Sequence, residues 1–513
     1  MAGLLRSMRP CPLNAPTYVN MLQQAPCVME RRYTNIFFLV LAAYFLLQIV
    51  IRISLPGSLE LDEAEQAYLF QQLRLGYGTQ PPLYAWLQWL MFSIFGVNLF
   101  ALSALKNLLL LATYLAMFHL ARPFLGVGGA IVASASLILF PAIGWESHID
   151  RTHSVLLTCL ACATLWYYFA LLSHPTKLRY ALLGLLIGLG LLSKYNFVIF
   201  VAGLATASLL SPQHRRMLWN RNAWIAVAVA TLCVLPHGLW LLDHFETATG
   251  GTFHKMSKDD LNAGYLRDVA TGVVNLLVAA LAFITPLWLV YGLACRRHCS
   301  HAGVDLRSPD TRFFIRLYFG FLAWMMLLLL SGEVSTIQSR WIQPLLFSLP
   351  LVFFVVAPGW AQAAIYRRIL YAAGLVAVTI LLALPLRVYL GPAVGKHVRL
   401  HHPYPQLSGE LMRRFPQAHT VIAGDGLLAG NLYFQRPIWR SLTLDEVAEG
   451  TAQVNGEVLV VARGGTQIDW LALFCAVYPQ STVREQGRLD LRYGHRNREI
   501  MSFEYALLVT RPR

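Results

Sequence analysis

The sequence predicts a polytopic α-helical membrane protein with a small α/β domain near its C-terminal end. Hydrophobic residues make up 57% of the 513 residues and charged residues only 13%, whereas charged residues are about a quarter of an average soluble domain. Most apolar residues lie in segments of membrane length, and from about residue 400 they lie in short runs of strand length instead. This composition argues against a soluble enzyme.

The first membrane-length segment runs from Asn35 to Ile53, after a polar leader at residues 1–34 that we expect to be a cytoplasmic tail. At about 1.5 Å per residue, a helix of this length crosses a hydrocarbon core of about 30 Å. Further apolar segments bring the prediction to about eleven spans within a transmembrane domain at residues 35–390. They lie at approximately residues 100–121, 124–141, 154–172, 180–193, 195–210, 223–241, 270–294, 313–330, 342–358 and 369–386.

The loops between these segments separate by charge. Alternate loops hold most of the lysines and arginines, and the positive-inside rule makes those loops cytoplasmic. The other loops hold most of the acids, so we expect them, and the chain after about residue 390, on the outer side. The formal charge of +15 is scattered between the spans. This distribution indicates topogenic charge and argues against a nucleic-acid partner.

Two regions depart from the pattern of spans. Residues 81–96 are apolar and aromatic, begin with two prolines and are short for a span, so they predict an interfacial helix in the first outer loop, residues 54–99, with an additional span as the alternative. In the tail, the runs HTVIAG, GEVLVVAR and FEYALLVT are separated by turn residues, and a helical stretch is expected around residues 445–457. These patterns predict an extracytoplasmic α/β domain at residues 391–513.

Ionisable side chains collect in the loops predicted to lie outside. Charges at a membrane edge are expensive, so their placement is informative. We expect these carboxylates and cations to share one outward-facing surface. The candidates are Asp62, Glu63, Asp150, Arg151, Lys194, Lys258 and Arg340.

Each candidate also has a structural interpretation, which the sequence leaves open. Asp62 could cap the helix predicted for DEAEQAYLFQQL, and Lys194 could extend from the end of a span to the interface. Asp150 and Arg151 could form a surface ion pair. Arg340 could be an interfacial anchor.

We expect no metal and no other cofactor. His148 and His153 are five residues apart, a poor spacing for joint ligation on one helix face. The eight cysteines form no pairs at metal or redox spacing. The sequence also contains no Walker-type loop and no Rossmann fingerprint.

A carboxylate beside cations at the boundary of water and lipid suits the transfer of a group from a lipid-linked phosphate to a hydroxyl. The carboxylate can act as general base on the acceptor. Lysine or arginine can stabilise the negative charge that develops on the leaving phosphate.

Four motifs, in this order, resemble the GT-C membrane glycosyltransferases: DE at residues 62–63, then PPLYAW, then GLGLLSKY, then RWIQPLLFSLP. The resemblance covers approximately residues 35–360 and predicts a GT-C-like transmembrane domain. It is closest to a bacterial branch that includes protein O-mannosyltransferase-like enzymes and the lipid A aminoarabinose and galacturonosyl transferases.

The resemblance implies an inverting glycosyltransferase that moves a sugar from a polyprenyl-phosphate donor to a lipid, glycan or protein hydroxyl at the outer face of the bacterial inner membrane. It makes Asp62 the catalytic base, with Glu63 beside it. Lys194 and Arg340 match residues expected near the donor phosphate or the acceptor, and Asp150 matches an acidic position of the family. Tyr84 and Arg151 are further expected substrate contacts.

One residue departs from the aminoarabinose transferases, which carry lysine where this chain has Gln80. A neutral amide cannot supply the charge that meets the donor phosphate, so Lys194, Arg340 or Lys258 must do so. The donor sugar therefore stays open.

Two rival functions remain at this stage. A transporter or flippase of envelope precursors would favour inverted repeats and broken spans with midplane charges, and the sequence shows charges at one edge and no repeat. A membrane scaffold whose tail domain binds envelope partners is the third interpretation.

Overall fold

The computed structural model describes residues 28–245, 264–296, 303–332, 334–450, 452–465, 469–494 and 499–510. The chain divides into two compact units. The first, here the helical unit, combines the chain up to Leu46 with Arg74–Tyr84 and Lys106–Ile380. The second, here the mixed unit, combines Leu47–Leu73, Ala85–Leu105 and Leu381–Arg513.

The main α-helices precede the first strand. They are α1 Val28–Ser54, α2 Leu61–Leu69, α3 Leu83–Phe95, α4 Leu99–Ala135, α5 His153–Ser173, α6 Lys177–Ser193, α7 Phe197–Leu210, α8 Pro212–Leu218, α9 Ala223–Asp243, α10 Tyr265–Cys295, α11 Pro309–Leu330, α12 Ser339–Leu346, α13 Leu349–Val356 and α14 Ala363–Tyr389. Helix α1 begins at Val28, before the predicted start at Asn35, because the largely polar residues that precede the apolar segment are also helical.

The predicted polytopic fold is confirmed. Among the described residues, seven helices are long and apolar enough to cross a membrane, and nine are if the bent pairs α7 with α8 and α12 with α13 each count as one span. Each of the eleven predicted segments coincides with a helix or part of one. The predicted segments 100–121 and 124–141 share α4, where Gly126 (φ +67°, ψ −176°) interrupts the helix three residues after Pro123, and the second segment continues into the 3₁₀ turn Ser136–Leu139. Proline and a glycine at positive φ both break helical hydrogen bonding.

In the helical unit, glycines lie at points where two helices are in close contact. A Cβ atom added to Gly184 of α6 would lie 2.3 Å from the carbonyl oxygen of Ala226 in α9. The same addition to Gly320 of α11 would lie 2.9 Å from the carbonyl oxygen of Gly203 in α7. Small residues let helix backbones approach closely in membranes, where dispersion contacts and not the hydrophobic effect drive helix association.

Helix α3 corresponds to the short apolar segment of the first loop. It has 13 residues, and at about 1.5 Å per residue it is too short to cross a core of about 30 Å. The alternative of an additional span is therefore wrong by length. An interfacial position of α3 stays a prediction.

The mixed unit contains a five-stranded sheet in the order β2-β1-β3-β5-β4. Strand β1 pairs in parallel with β2 and β3, and β5 pairs antiparallel with β3 and β4. The remaining elements are α15 Tyr404–Arg414, β1 Thr420–Ala423, α16 Gly426–Gln435, β2 Arg440–Thr443, α17 Leu444–Ala448, β3 Gly456–Arg463, α18 Trp470–Val477, β4 Thr482–Arg492 and β5 Ile500–Thr510.

The predicted α/β class of the tail is confirmed, and the three quoted runs are β1, β3 and β5. The helix expected around residues 445–457 is wrong in extent. Helix α17 ends at Ala448, and Gly450 follows at φ +72°, a conformation that glycine adopts readily. Glu457, the last residue of the expected helix, belongs to β3.

Both faces of the sheet are covered, as the alternation of its buried residues requires. On one face, Ile422, Val460 and Leu508 pack with α18. On the other face, Val421 and Leu459 belong to a cluster with α15, α16 and residues of the first loop. Residues 54–73 and 85–99 of the first loop thus belong to the mixed unit and contribute to its core, and Arg74–Tyr84 belong to the helical unit.

Candidate functional site

In the mixed unit, the short helix α2 carries Asp62 and Glu63. Glu60 occupies the N-cap position in an extended conformation (φ −71°, ψ 171°), and Asp62 lies in the first turn. The interpretation of Asp62 as the helix cap is therefore wrong. The Asp62 side chain is partly exposed, and the positive end of the helix dipole favours a negative charge at this position.

Glu63 is buried and forms a bidentate ion pair with Arg52 of α1. Arg52 Nε donates to Oε1 at 2.9 Å and Nη2 donates to Oε2 at 2.6 Å. The backbone N–H of Glu60 donates to the same Oε2 at 3.2 Å. Both carboxylate oxygens are thus engaged in holding the start of α2, and the role of Glu63 beside the base stays a prediction.

Glu60 is a residue that the sequence reasoning missed. Its carboxylate lies 3.0 Å from Arg387 in the last turn of α14 and 3.6 Å from Arg399. Burial raises the pKa of Glu60 above its ordinary value, and the two arginines act against this increase. The acidic run ELDEAE and the basic segment around Arg387 were visible in the sequence, but nothing there showed that they meet.

The residues that precede α2 are held by the C-terminal part of the mixed unit. Ser58 Oγ donates to the carbonyl oxygen of His402 at 2.7 Å, and the Leu59 N–H donates to Asn431 Oδ1 at 2.8 Å. Asn431 is fully buried. A Cβ atom added to Gly430 would lie 2.0 Å from the carbonyl oxygen of Ala64, so α16 and α2 are in direct backbone contact.

In the helical unit, the segment after α4 contains a π-helical turn, Ala142–Glu146, a type of local distortion that is frequent at functional sites. His148 follows it. Its Nε2 lies 3.4 Å from the Tyr44 hydroxyl, and Lys106 Nζ donates to its carbonyl oxygen at 3.5 Å. Burial, reinforced by Lys106, lowers the pKa of His148 to about 3.

Lys106 was also missed. Its side chain is only 3% exposed and lies within a predicted span. The available signal was the presence of an ionisable residue inside an apolar segment, which marks a functional site by default.

Asp150 and Arg151 lie on the same segment. Arg151 forms its ion pair with Glu146, at 3.1 Å. Both side chains of this pair are about one-third exposed, so the contact contributes little stability. Asp150 is partly exposed and has φ −157° and ψ 76° between α5 and the preceding short helical stretch.

The N-terminus of α5 brings two predicted residues together. The Tyr84 ring lies 5.5 Å from the His153 ring, and Lys194 Nζ donates to the Ser154 hydroxyl at 3.0 Å. Lys194 follows the last residue of α6 in an extended conformation. Its ammonium group is therefore directed to α5.

Arg340 reaches the same part of the helical unit through α12, which packs against α5. Asn196, two residues after Lys194, donates from Nδ2 to the carbonyl oxygen of Trp341 at 3.0 Å. This bond joins the start of α12 to the hairpin between α6 and α7. The Arg340 side chain is partly exposed.

Gln80 lies in a tight turn, bridged to Tyr77, in which Gly78 adopts φ +67°. The chain leading to this turn is bound to α9, because His237 Nδ1 lies 2.8 Å from the carbonyl oxygen of Leu75. His237 also lies 3.3 Å from the hydroxyl of Tyr195, the neighbour of Lys194. His237 thus contacts both the chain that leads to the Gln80 turn and the hairpin that contains Lys194.

The predicted residues fall into two groups. The helical unit contains Tyr84, Gln80, Asp150, Arg151, Lys194 and Arg340, and the mixed unit contains Asp62 and Glu63. Lys258 lies outside the described residues. Within the described part of the chain, no group of three or more His, Cys, Asp or Glu residues has the arrangement of a metal site.

Comparison with known proteins gives one consistent set of relatives. Residues 79–240 match the family described as dolichyl-phosphate-mannose-protein mannosyltransferase. The lipopolysaccharide core galacturonosyltransferase RgtB of Rhizobium johnstonii is 36% identical over 406 residues, which are 79% of this chain and 82% of RgtB. RgtA of the same organism, also a lipopolysaccharide core galacturonosyltransferase, is 34% identical over 440 residues, which are 83% of this chain and 86% of RgtA.

A solved structure shares the fold. The crystal structure of ArnT from Cupriavidus metallidurans bound to undecaprenyl phosphate matches with a TM-score of 0.59 at 13% sequence identity. The match covers 91% of this chain and 97% of ArnT. At this identity the similarity concerns the fold alone.

Proposed function

Because this chain belongs to the GT-C membrane glycosyltransferases, we propose that it transfers a galacturonosyl residue from a polyprenyl phosphate to a hydroxyl of lipopolysaccharide core at the outer face of the bacterial inner membrane. The proposed sugar and acceptor rest on one observation. The chain is similar to two lipopolysaccharide core galacturonosyltransferases over about four-fifths of each chain. The polyprenyl carrier is supported by analogy with ArnT, which was crystallised with undecaprenyl phosphate.

Asp62 is the general base in this proposal. It accepts the proton of the acceptor hydroxyl while the hydroxyl oxygen forms a bond to the anomeric carbon. The bond from that carbon to the donor phosphate oxygen breaks, and its electron pair leaves with the phosphate. Attack from the face opposite the leaving group inverts the anomeric centre. A partly exposed carboxylate on a helix that is fixed at its N-terminal end suits this role.

Lys194 and Arg340 supply positive charge to the donor phosphate. Negative charge grows on the phosphate as the sugar leaves, so a preorganised cation stabilises the transition state more than the ground state. The hydrogen bond from Lys194 to Ser154 fixes the ammonium in advance. Gln80 contributes no charge, and its amide is left to bind sugar or phosphate oxygens.

A direct test uses membranes that contain the enzyme, polyprenyl-phosphate galacturonic acid labelled in the sugar, and purified lipopolysaccharide core. We expect label in the core with the wild-type enzyme and a rate lower by about 10²–10⁴-fold with Asp62→Asn. Asp490→Asn is the matched control, since Asp490 is an exposed carboxylate of the mixed unit. Transfer by the Asp62→Asn variant at the wild-type rate would refute the assigned base.

The donor sugar is tested separately. Mass spectrometry of lipopolysaccharide from a deletion strain should show core molecules that lack one hexuronosyl residue. Loss of a neutral hexose or of an aminosugar instead would refute the galacturonosyl assignment while leaving glycosyl transfer intact.

A further inference from the structure

The segment that follows the last predicted span is strongly basic. Residues 387–402 contain two arginines, one lysine and three histidines, and no acidic residue. Lys396 is exposed, and the Arg399 side chain is 43% exposed. Arg387 and Arg399 share the one carboxylate of Glu60, so the segment keeps an excess of positive charge that attracts anions.

This basic segment folds against aromatic rings of the same unit. The His402 ring lies 5.3 Å from Tyr404 and 5.6 Å from Tyr493. Arg463 donates to the Tyr404 hydroxyl at 2.6 Å and lies 3.5 Å from Asp425. We call Arg399, His402, Arg463 and Tyr493 the connector patch.

The connector patch places two guanidinium groups beside a partly buried imidazole, although each guanidinium also faces a carboxylate, Glu60 or Asp425. Burial, then Arg463, Arg399 and His401, lower the pKa of His402 to about 4, and Asp425 acts in the opposite direction. His402 is therefore neutral near pH 7, while the two arginines keep their charge. Neutral imidazole and a tyrosine hydroxyl can each donate and accept hydrogen bonds.

An acidic sugar matches this combination. Its carboxylate or phosphate can form charge-assisted bonds with a guanidinium group. Its hydroxyls can bond the imidazole and the tyrosine, and the apolar C–H face of its ring can lie on a partly exposed aromatic ring. Tyr493 and His402 are both partly exposed. A phospholipid headgroup has the anion but offers less for the aromatic rings to contact.

The connector patch is attached directly to the loop that carries Asp62. Arg399 lies 3.6 Å from Glu60, and the carbonyl oxygen of His402 accepts the Ser58 hydroxyl at 2.7 Å. Glu60 and Ser58 are two and four residues from Asp62 in the chain. The patch is therefore bound to the segment that leads into the residue that we assign as base.

We propose that Arg399, His402, Arg463 and Tyr493 bind an acidic sugar of the acceptor through its carboxylate or phosphate group. The site selects acceptors that carry an anion beside the hydroxyl to be glycosylated. This proposal rests on the proposed function, since it concerns the acceptor of that reaction.

The kinetic test compares an acidic core oligosaccharide with the same oligosaccharide after reduction of its carboxylates and removal of its phosphates. For Arg399→Gln and Arg463→Gln we expect the KM for the acidic acceptor to rise about tenfold, the loss typical of one charge-assisted hydrogen bond. For Arg463→Gln, the kcat and the KM for the donor should stay within about twofold of wild type, the margin for a residue that does not contact the reacting atoms. Arg399 also pairs with Glu60, so for Arg399→Gln only the ratio of the KM values for the acidic and the neutral acceptor is compared. Arg413→Gln is the matched control, because Arg413 is an exposed arginine of the same unit, paired with Glu410. Arg463→Lys retains the charge and should recover part of the affinity.

An equal rise in KM for the acidic and the neutral acceptor would overturn the proposal, because the lost interaction would then not involve an anion. An unchanged KM in both variants would overturn it as well.

A binding measurement separates this proposal from the proposed function. Full-length Asp62→Asn protein in nanodiscs is titrated with fluorescently labelled acidic core oligosaccharide, so that no turnover is needed. If Arg399→Gln weakens oligosaccharide binding, the result supports the connector patch as the acceptor site. If the wild-type enzyme at the same time transfers no galacturonic acid, the proposed donor sugar is rejected while the acceptor site stands. Competition by phosphatidylglycerol in the nanodisc, with no oligosaccharide binding, would instead identify a lipid headgroup site and overturn the proposal.

Discussion

Arg52 and Glu63 form a buried bidentate ion pair that joins the last turn of α1 to the first turn of α2. The pair fixes the point at which the chain leaves its first membrane helix. Since Glu63 is the immediate neighbour of Asp62, the same pair determines how the predicted base is presented.

Glu63→Gln removes one charge and leaves Arg52 buried without its counterion. We expect a loss of about 3–5 kcal/mol in the free energy of unfolding, the usual cost of breaking a buried pair from one side. The double variant Arg52→Met with Glu63→Leu should be less destabilised, because no charge remains buried. Melting temperatures of the purified proteins in detergent check this, and a Glu63→Gln variant as stable as wild type would contradict it.

Asp62→Asn should lower kcat by about 10²–10⁴-fold, the contribution of a general base. The KM for the acceptor should change less, because the amide retains the size and most of the hydrogen bonds of the carboxylate. Initial rates with labelled donor check this, and the melting temperature of the variant shows whether the fold is retained. Asp62→Glu should recover part of the rate if proton transfer is the missing step.

The lowered pKa of His148 leads us to expect that the stability of the fold depends on pH. Its pKa is lowered to about 3 in the folded protein, against about 6.5 in an unfolded chain. Between pH 3 and pH 6.5 the unfolded state therefore binds more protons at this imidazole than the folded state. The contribution of neutral His148 to the free energy of unfolding is fully present above pH 6.5 and is lost as the pH falls toward 3. The slope is about 1.4 kcal/mol per pH unit.

The melting temperature of wild type should therefore fall between pH 7.5 and pH 5.5 by more than that of His148→Gln, and the difference between the two proteins isolates the contribution of this imidazole. Equal decreases would mean that other groups account for the pH dependence.

Gly430→Ala should weaken the contact between α16 and α2. The added methyl group would meet backbone at 2.0 Å, and backbone cannot give way as a side chain can, so we expect a loss of about 1–3 kcal/mol. Gly409→Ala in α15 is the matched control, since its added Cβ meets nothing within 4 Å. That control should leave stability unchanged or raise it by up to about 1 kcal/mol. Thermal unfolding of both variants decides the comparison.

Lys194→Met should raise the KM for the donor and lower kcat, together by about tenfold or more, because the phosphate loses a charge-assisted partner. Ser154→Ala removes only the bond that orients the ammonium, so its effect should be smaller. Donor titrations at saturating acceptor measure both. A normal donor KM in the Lys194→Met variant would remove this lysine from the phosphate site.

The membrane helices could be located from the sequence because a backbone inside a bilayer must satisfy its own hydrogen bonds, so apolar segments of sufficient length become helices. The sheet was only partly predictable. Strand β2 has four residues, and β4, TVREQGRLDLR, is mostly polar and exposed at the edge of the sheet. Neither has the apolar run by which β1, β3 and β5 were found.

The candidate site shows the same limit. Asp62, Tyr84 and Lys194 lie in local motifs and could be proposed from the sequence. The contact of Leu59 with Asn431 joins residues 372 positions apart, and no local pattern contains it. Lys106 and Arg399 were missed because one lies in an apolar segment and the other in a basic one, where each has an ordinary explanation.

Glu60 and Glu63, at the start of α2, bind arginines that are synthesised at very different times. Glu63 is bound by the first membrane helix, but Glu60 is bound by Arg387 and Arg399, which the ribosome adds more than three hundred residues later. During synthesis Glu60 therefore lacks these two partners until α14 and the segment after it have been made, and only Arg52 of α1 is present to offset its charge. With Asp62 as the proposed base, nascent chains that stop before α14 should be inserted in the membrane but inactive.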